Sequence, residues 1–138
     1  MIFLDTSFLF SLFSVRDPDH ERVKTVFEAL EGRRLPDTLL TTNHVVFETL
    51  TLVRMKTGHA AAVFVGDRLY GGHLSRIHSA TLDEERQAYA YLAQHRDKRY
   101  SAVDCLSFVV MLKLGIKEAW TFDRHFEHRF IARPGPPK

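Results

Sequence analysis

The chain of 138 residues has one cysteine, Cys105, so no disulfide forms within it, and no cysteine pair with zinc-ligand spacing accompanies His44 or His59. Long apolar runs are also missing: nothing approaches the ~20 residues of a membrane helix. Asp5 interrupts the first apolar segment, which excludes the charged, apolar, small-residue order of a secretion signal. These absences predict a cytoplasmic protein with no membrane partner. Neither a G-x-x-x-x-G-K-[ST] phosphate loop nor a G-x-G-x-x-G dinucleotide loop occurs, so nucleotide hydrolysis by that route and nicotinamide chemistry are unsupported. Aspartyl-phosphate phosphatases place a second aspartate two residues beyond the first; here that place holds Ser7.

A large charge excess is absent as well. Lys and Arg number 19, Asp and Glu 17, and the formal charge is +2 with neutral histidines. Such balance argues only weakly for nucleic acid. If acids are gathered in one cleft, however, the remaining surface is more basic than the total, and arginines such as Arg16, Arg33, Arg34, Arg76, Arg99, Arg124 and Arg129 can meet phosphates. Ordinary solvated charge is the other reading.

What is present is one domain's worth of apolar sequence, 45% of residues, with no internal repeat or linker. Residues 2–4 read as a buried strand, and Phe8, Leu9, Phe10, Leu12 and Phe13 continue the signal with helical as well as strand spacing. Helical spacing recurs over 17–31 through Val23, Val26, Phe27 and Leu30. A short strand at 38–41 precedes a helix capped by Thr42 or Asn43, and another helix follows over 59–70. Leu74 and Ile77 mark a weak strand. Thr81 starts a helix whose expected buried members are Leu82, Tyr89, Leu92 and Ala93. Ser101 caps a continuously apolar helix ending at Gly115, EAWTF reads as a strand and RFIA as a final edge strand. The aromatics Phe8, Phe10, Phe13, Phe47, Phe64 and Phe108 read mainly as core. Strands alternating with helices predict a three-layer α/β/α sandwich with a mostly parallel sheet, spanning 1–132, with a loose tail over 133–138.

Ligands of such sheets bind beyond the carboxyl ends of the strands. Asp5 ends the first strand and Asp123 follows AWTF, so both face one rim. Asp104 opens the helix after Ser101, and Glu48 lies in the first half of the helix after Thr42. Each acid has a local explanation: Asp5 caps a helix, Asp104 completes a capping box with Ser101, Glu48 pairs with Arg54, and Asp123 shapes a turn. Four ionised carboxylates at one rim repel one another. A divalent cation accounts for all four together, and Mg2+ or Mn2+ accepts hard oxygen ligands while retaining waters.

The ordered blocks FLDTSFLFSL, TTNHVVFETL, YSAVDCLSFVVMLKLGI and AWTFDRHFEHRF resemble the PIN-domain ribonucleases, especially the toxins of toxin–antitoxin pairs. The resemblance covers the chain to about residue 132 and implies that Asp5, Glu48, Asp104 and Asp123 surround a Mg2+ or Mn2+ site. It also implies that Ser7, Ser101 and Thr121 hold the acids in place. A metal-dependent endoribonuclease leaving 5′-phosphate and 3′-hydroxyl ends is then expected, with RNA as substrate, an antitoxin as partner and a homodimer as the assembly. Arg124 and His125 are candidates for touching substrate or steadying charge near Asp123, an exposed turn being the other reading. After DRHF the chain reads EHRF where many members have a glycine-containing turn. A non-catalytic RNA-binding or partner-binding domain, or a DNA nuclease, is the alternative.

Overall fold

The structure, a computed structural model, describes residues 1–136. Five strands, β1 (Ile2–Leu4), β2 (Leu39–Thr42), β3 (Arg76–His78), β4 (Glu118–Thr121) and β5 (Ile131–Pro134), lie in the order β3-β2-β1-β4-β5, and every neighbouring pair is parallel. Six helices connect them: α1 (Thr6–Phe13), α2 (His20–Glu28), α3 (Asn43–Lys56), α4 (His59–Tyr70), α5 (Leu82–Gln94) and α6 (Ala102–Leu114). The strand order runs outward from β1 to β3, then returns across the sheet to β4. Right-handed crossovers place helices on both faces under that order, and the reversal beside β1 creates a switch point between β1 and β4. This is the expected α/β/α sandwich.

Packing follows from the aromatic residues of the central strands and their helices. Phe8 and Phe27 both close on Trp120, with ring centroids 5.1 and 5.2 Å away, and Phe108 of α6 meets Phe126 at 5.0 Å. Every residue of α6 from Cys105 to Met111 is buried, as its continuous apolarity requires. Gly115 then ends the helix at φ +69°, a left-handed conformation that favours glycine. Cys105 is a buried free thiol, pushed up to about 11 by burial.

Several boundaries differ from expectation. Helix α2 starts at His20 rather than 17 because Pro18 disfavours helical geometry at Asp17. Strand β2 is shifted one residue, and Thr42 caps α3 by accepting the Val45 amide at 3.1 Å. The strand expected at RFIA continues through Arg133 and Pro134, which corrects the start of the loose tail. There the Gly135 amide donates to the Thr121 carbonyl at 3.0 Å, and Arg22 donates to the Pro134 and Gly135 carbonyls. The last two residues of that tail lie outside the described ones.

Two expectations about burial are also corrected. Phe47 and Phe64 are 66% and 53% exposed, and Phe10 and Phe13 are half-buried, so among the named aromatics only Phe8 and Phe108 are fully core. On α5, Leu82 and Tyr89 are 62% and 73% exposed, with Leu92 and Ala93 also outward. The inward face instead carries Ala88 and the fully buried Glu84. An acid can occupy that face because its carboxylate is paired: His78 Nε2 lies 2.9 Å away and Lys113 Nζ donates at 3.2 Å.

Candidate active site

Three of the four acids, Asp5, Asp104 and Asp123, come together at the carboxyl rim of β1 and β4. Asp5 occupies the N-cap position of α1 yet makes no side-chain capping bond, so the capping explanation does not hold for it. Its carboxylate turns instead to β4, accepting from the Thr121 hydroxyl at 2.8 Å and from the Ser7 hydroxyl at 3.1 Å. Thr121 Oγ1 in turn accepts the Asp123 amide at 2.9 Å, and Ser7 Oγ accepts the Phe122 amide at 3.0 Å. Two hydroxyls therefore stitch the end of the first strand to the turn that carries the last acid.

Asp104 and Asp123 keep their local roles while joining the cluster. Ser101 and Asp104 form a reciprocal capping box, each side chain accepting the other's backbone amide at 3.0 Å. Asp123 Oδ1 accepts the His125 amide at 2.9 Å and starts the 3-10 turn Arg124–His128. His125 Nδ1 lies 3.3 Å from Asp123 Oδ1 and 3.8 Å from Asp104 Oδ2. Asp104, Asp123 and His125 each offer a donor atom, and these atoms lie within 4.8 Å of one another.

Electrostatics show why such a cluster needs a countercharge. Burial pushes the Asp5 carboxyl up to about 7, against the Thr121 hydrogen bond, and the negative charge of Asp104 adds to the rise. Burial also raises Asp104, with the Asp123 charge contributing in the same direction. The Nδ1 atom of His125 is buried and has no hydrogen-bond partner among the described residues. Carboxylates at unfavourable potential and an unsatisfied imidazole nitrogen are the chemistry of a cation site, and the donor set fits a divalent metal.

Glu48 stands apart. It is exposed on α3 and makes no ion pair with Arg54 among the described residues, and it is not a member of the tight cluster. Val45, Val46 and Thr49 around it are buried, whereas Phe47 beside it is exposed. Its helix nevertheless rises from the same rim, placing Glu48 about 9 Å along the axis from the Thr42 cap. Arg124, next to Asp123 in the chain, is exposed. His125, read from sequence as a candidate for touching substrate or steadying charge near Asp123, stands among the acids beside Asp123, and the D-x-H spacing of the two residues is the sequence signal for that placement. Tyr100, whose hydroxyl lies 2.6 Å from His128 Nδ1, was not singled out.

No helix among the described residues is long and apolar enough to cross a membrane. The family profile for the PIN domain matches residues 2–129. A 23S rRNA-specific endonuclease of Mycobacterium tuberculosis, VapC20, is 38% identical over 126 residues, covering 91% of this chain and 92% of the relative. A VapC ribonuclease of Archaeoglobus fulgidus is 30% identical over 131 residues, covering 94% and 81%. The crystal structure of VapC20, described as a sarcin–ricin loop cleaving toxin, superposes with a TM-score of 0.84 at 36% identity, covering 93% of this chain and 94% of that one. FitAcB from Neisseria gonorrhoeae, 17% identical with a TM-score of 0.65 over 97% and 98% of the two chains, shares the fold. The ordered acids, the parallel sheet and these likenesses agree, and the chain belongs to the PIN-domain family.

Proposed function

We propose that the protein is a metal-dependent endoribonuclease and the toxin of a toxin–antitoxin pair. The observation that carries this reading is the convergence of Asp104, Asp123 and His125 beside an Asp5 held by Thr121 and Ser7. Mg2+ or Mn2+ held by Asp5, Asp104 and Asp123 would neutralise charge on the scissile phosphate and lower the pKa of a water.

The chain's own residues then perform defined tasks. Thr121 and Ser7 fix the orientation of Asp5, the Ser101 box fixes Asp104, and the His125 amide fixes Asp123. Arg124, exposed beside Asp123, binds a substrate phosphate. Glu48 orients the attacking water and takes its proton. The water oxygen bonds to phosphorus, the bond from phosphorus to the ribose 3′ oxygen breaks, and that oxygen takes a proton from solvent. A 5′-phosphate and a 3′-hydroxyl result.

The mycobacterial relative acts on 23S rRNA, so a hairpin of large-subunit ribosomal RNA is the first substrate to test. Exposed Phe47, Met55 and Val63 on α3 and α4 support a homodimer, and a groove of about 690 Å³ lined by Leu12, Phe13, Phe27 and Phe64 supports an antitoxin segment. None of the groove residues belongs to the acidic cluster, so the two regions serve different partners. Incubating the parent chain and a D5N/D104N variant with the hairpin in Mg2+ and in chelator tests the reading. Cleavage by the parent in Mg2+ alone supports it; a parent that binds the metal and leaves RNA intact refutes it.

A further inference from the structure

We infer that a track of imidazole and phenol rings leading outward from His125 is the bed on which single-stranded RNA lies beside the acidic cluster. This rests on the nuclease reading and deepens it by naming where the substrate strand runs. Three elements supply the rings: Tyr91 and the following His95 at the end of α5, Tyr100 just before α6, and His125 and His128 in the 3-10 turn. Tyr100 stands 5.3 Å from His125, 5.7 Å from His128 and 5.8 Å from His95, and His95 stacks on Tyr91 at 4.1 Å and 16°. The track is thus continuous from the acids to the outer surface.

Its floor is the buried Phe108, whose ring meets Tyr100 at 5.1 Å and Tyr91 at 5.7 Å. Phe108 also meets Phe126 and Phe130 beneath, and the outer rings are half-buried or, for His128, exposed. Rings held on a rigid base and open on one side offer stacking faces that accept any base.

Charge identifies the occupant. Arg96, Arg99, Arg124 and Arg129 adjoin the rings in sequence, are exposed, and pair with no carboxylate among the described residues; Arg16, Arg33, Arg54, Arg68 and Arg86 are likewise unpaired outside the track, so what marks the track is the gathering of four such arginines beside the rings. Arg129 also lies over the Tyr91 ring and donates to its hydroxyl at 3.4 Å. Unpaired guanidinium groups interleaved with flat rings match a phosphate backbone bearing unstacked bases.

The test measures binding of a labelled, unstructured RNA of about 12 nucleotides, within the 4–16 span of single-strand sites, in chelator so that no cutting intervenes. Melting curves accompany each variant. A His95→Ala/His128→Ala double variant of the full chain should bind about tenfold more weakly, the loss expected for about one stacked base. In the His128→Ala background, His95→Phe should recover affinity relative to His95→Ala, because a flat ring suffices. Arg129→Gln should make the dependence of log affinity on log salt shallower by about 0.7. If the double variant melts below the assay temperature, the Arg129→Gln salt slope decides. Parent-like binding by a folded double variant, no recovery with phenylalanine, or an unchanged slope overturns the track. A parent that binds along the track but never cuts in Mg2+ or Mn2+ overturns the nuclease reading alone.

Discussion

Thr121 donates to the Asp5 carboxylate at 2.8 Å and, through the same oxygen, accepts the Asp123 amide at 2.9 Å. One hydroxyl therefore couples the acid ending β1 to the acid that follows β4. Thr121→Val keeps the β-branched shape but removes both functions of the oxygen. The expected result is a 10–100-fold loss in metal affinity or cleavage rate and about 1–3 kcal/mol of stability lost to unpaired polar groups. Thr121→Ser should retain most of both, as read by metal titration and denaturant unfolding.

Asp5 is destabilising in the metal-free protein. Its folded value of about 7 exceeds the ordinary 3.8, so the unfolded chain holds the carboxylate more readily. The cost is absent below the unfolded value, grows as pH rises from 3.8 to about 7, and levels off above that, on the order of 4 kcal/mol. Asp5→Asn should therefore melt higher than the parent at pH 8 in chelator. It should also gain less from added Mg2+. Differential scanning in chelator and in Mg2+ reads both effects.

Glu84 has the opposite sign. Burial alone would raise it, but the Thr81 amide, His78 and Lys113 hold it down at about 2. A depressed carboxyl contributes stability that is full above the unfolded value of 4.5 and is lost as pH falls through the folded value, on the order of 3 kcal/mol. Glu84→Gln should be less stable than the parent at pH 7, and the gap should narrow between pH 4.5 and 2. Urea midpoints across that range check it.

Much of this architecture was legible because local chemistry and burial agreed. Thr42, Thr81, Ser101 and Gly115 announce helix ends by capping alone, and the 59–70 helix has the bounds that its spacing predicts. The α5 face was misread because hydrophobicity points to Leu82 and Tyr89, while the buried side is occupied by a charge whose partners, His78 and Lys113, come from β3 and α6. Partners on other elements, 6 and 29 residues away, leave no trace in the helix's own periodicity. At the site, the strand-end positions of Asp5 and Asp123 were readable from patterning. That Thr121 serves Asp5 depends on β1 pairing with β4 across more than a hundred residues, whereas Ser7 lies two residues from it in the chain.

Glu48 separates chemistry from folding. It is exposed and carries no ion pair among the described residues, so Glu48→Gln should shift the melting point little, within about 0.5 kcal/mol for a surface site. Proton transfer by a positioned group contributes 10²–10⁴-fold, so cleavage should fall by about that range. A variant equal to the parent in rate removes Glu48 from the mechanism.

The central claim is that acids from separate elements form one metal-dependent phosphodiesterase centre. The most direct measurement maps the ends made from a structured RNA pool by the parent and by a folded D5N/D104N variant, in Mg2+, Mn2+ and chelator. New 5′-phosphate ends made by the parent with metal, and absent from the variant and from the chelator reaction, are the predicted result. Cuts that persist in the variant or in chelator, or ends bearing 5′-hydroxyls, would contradict it.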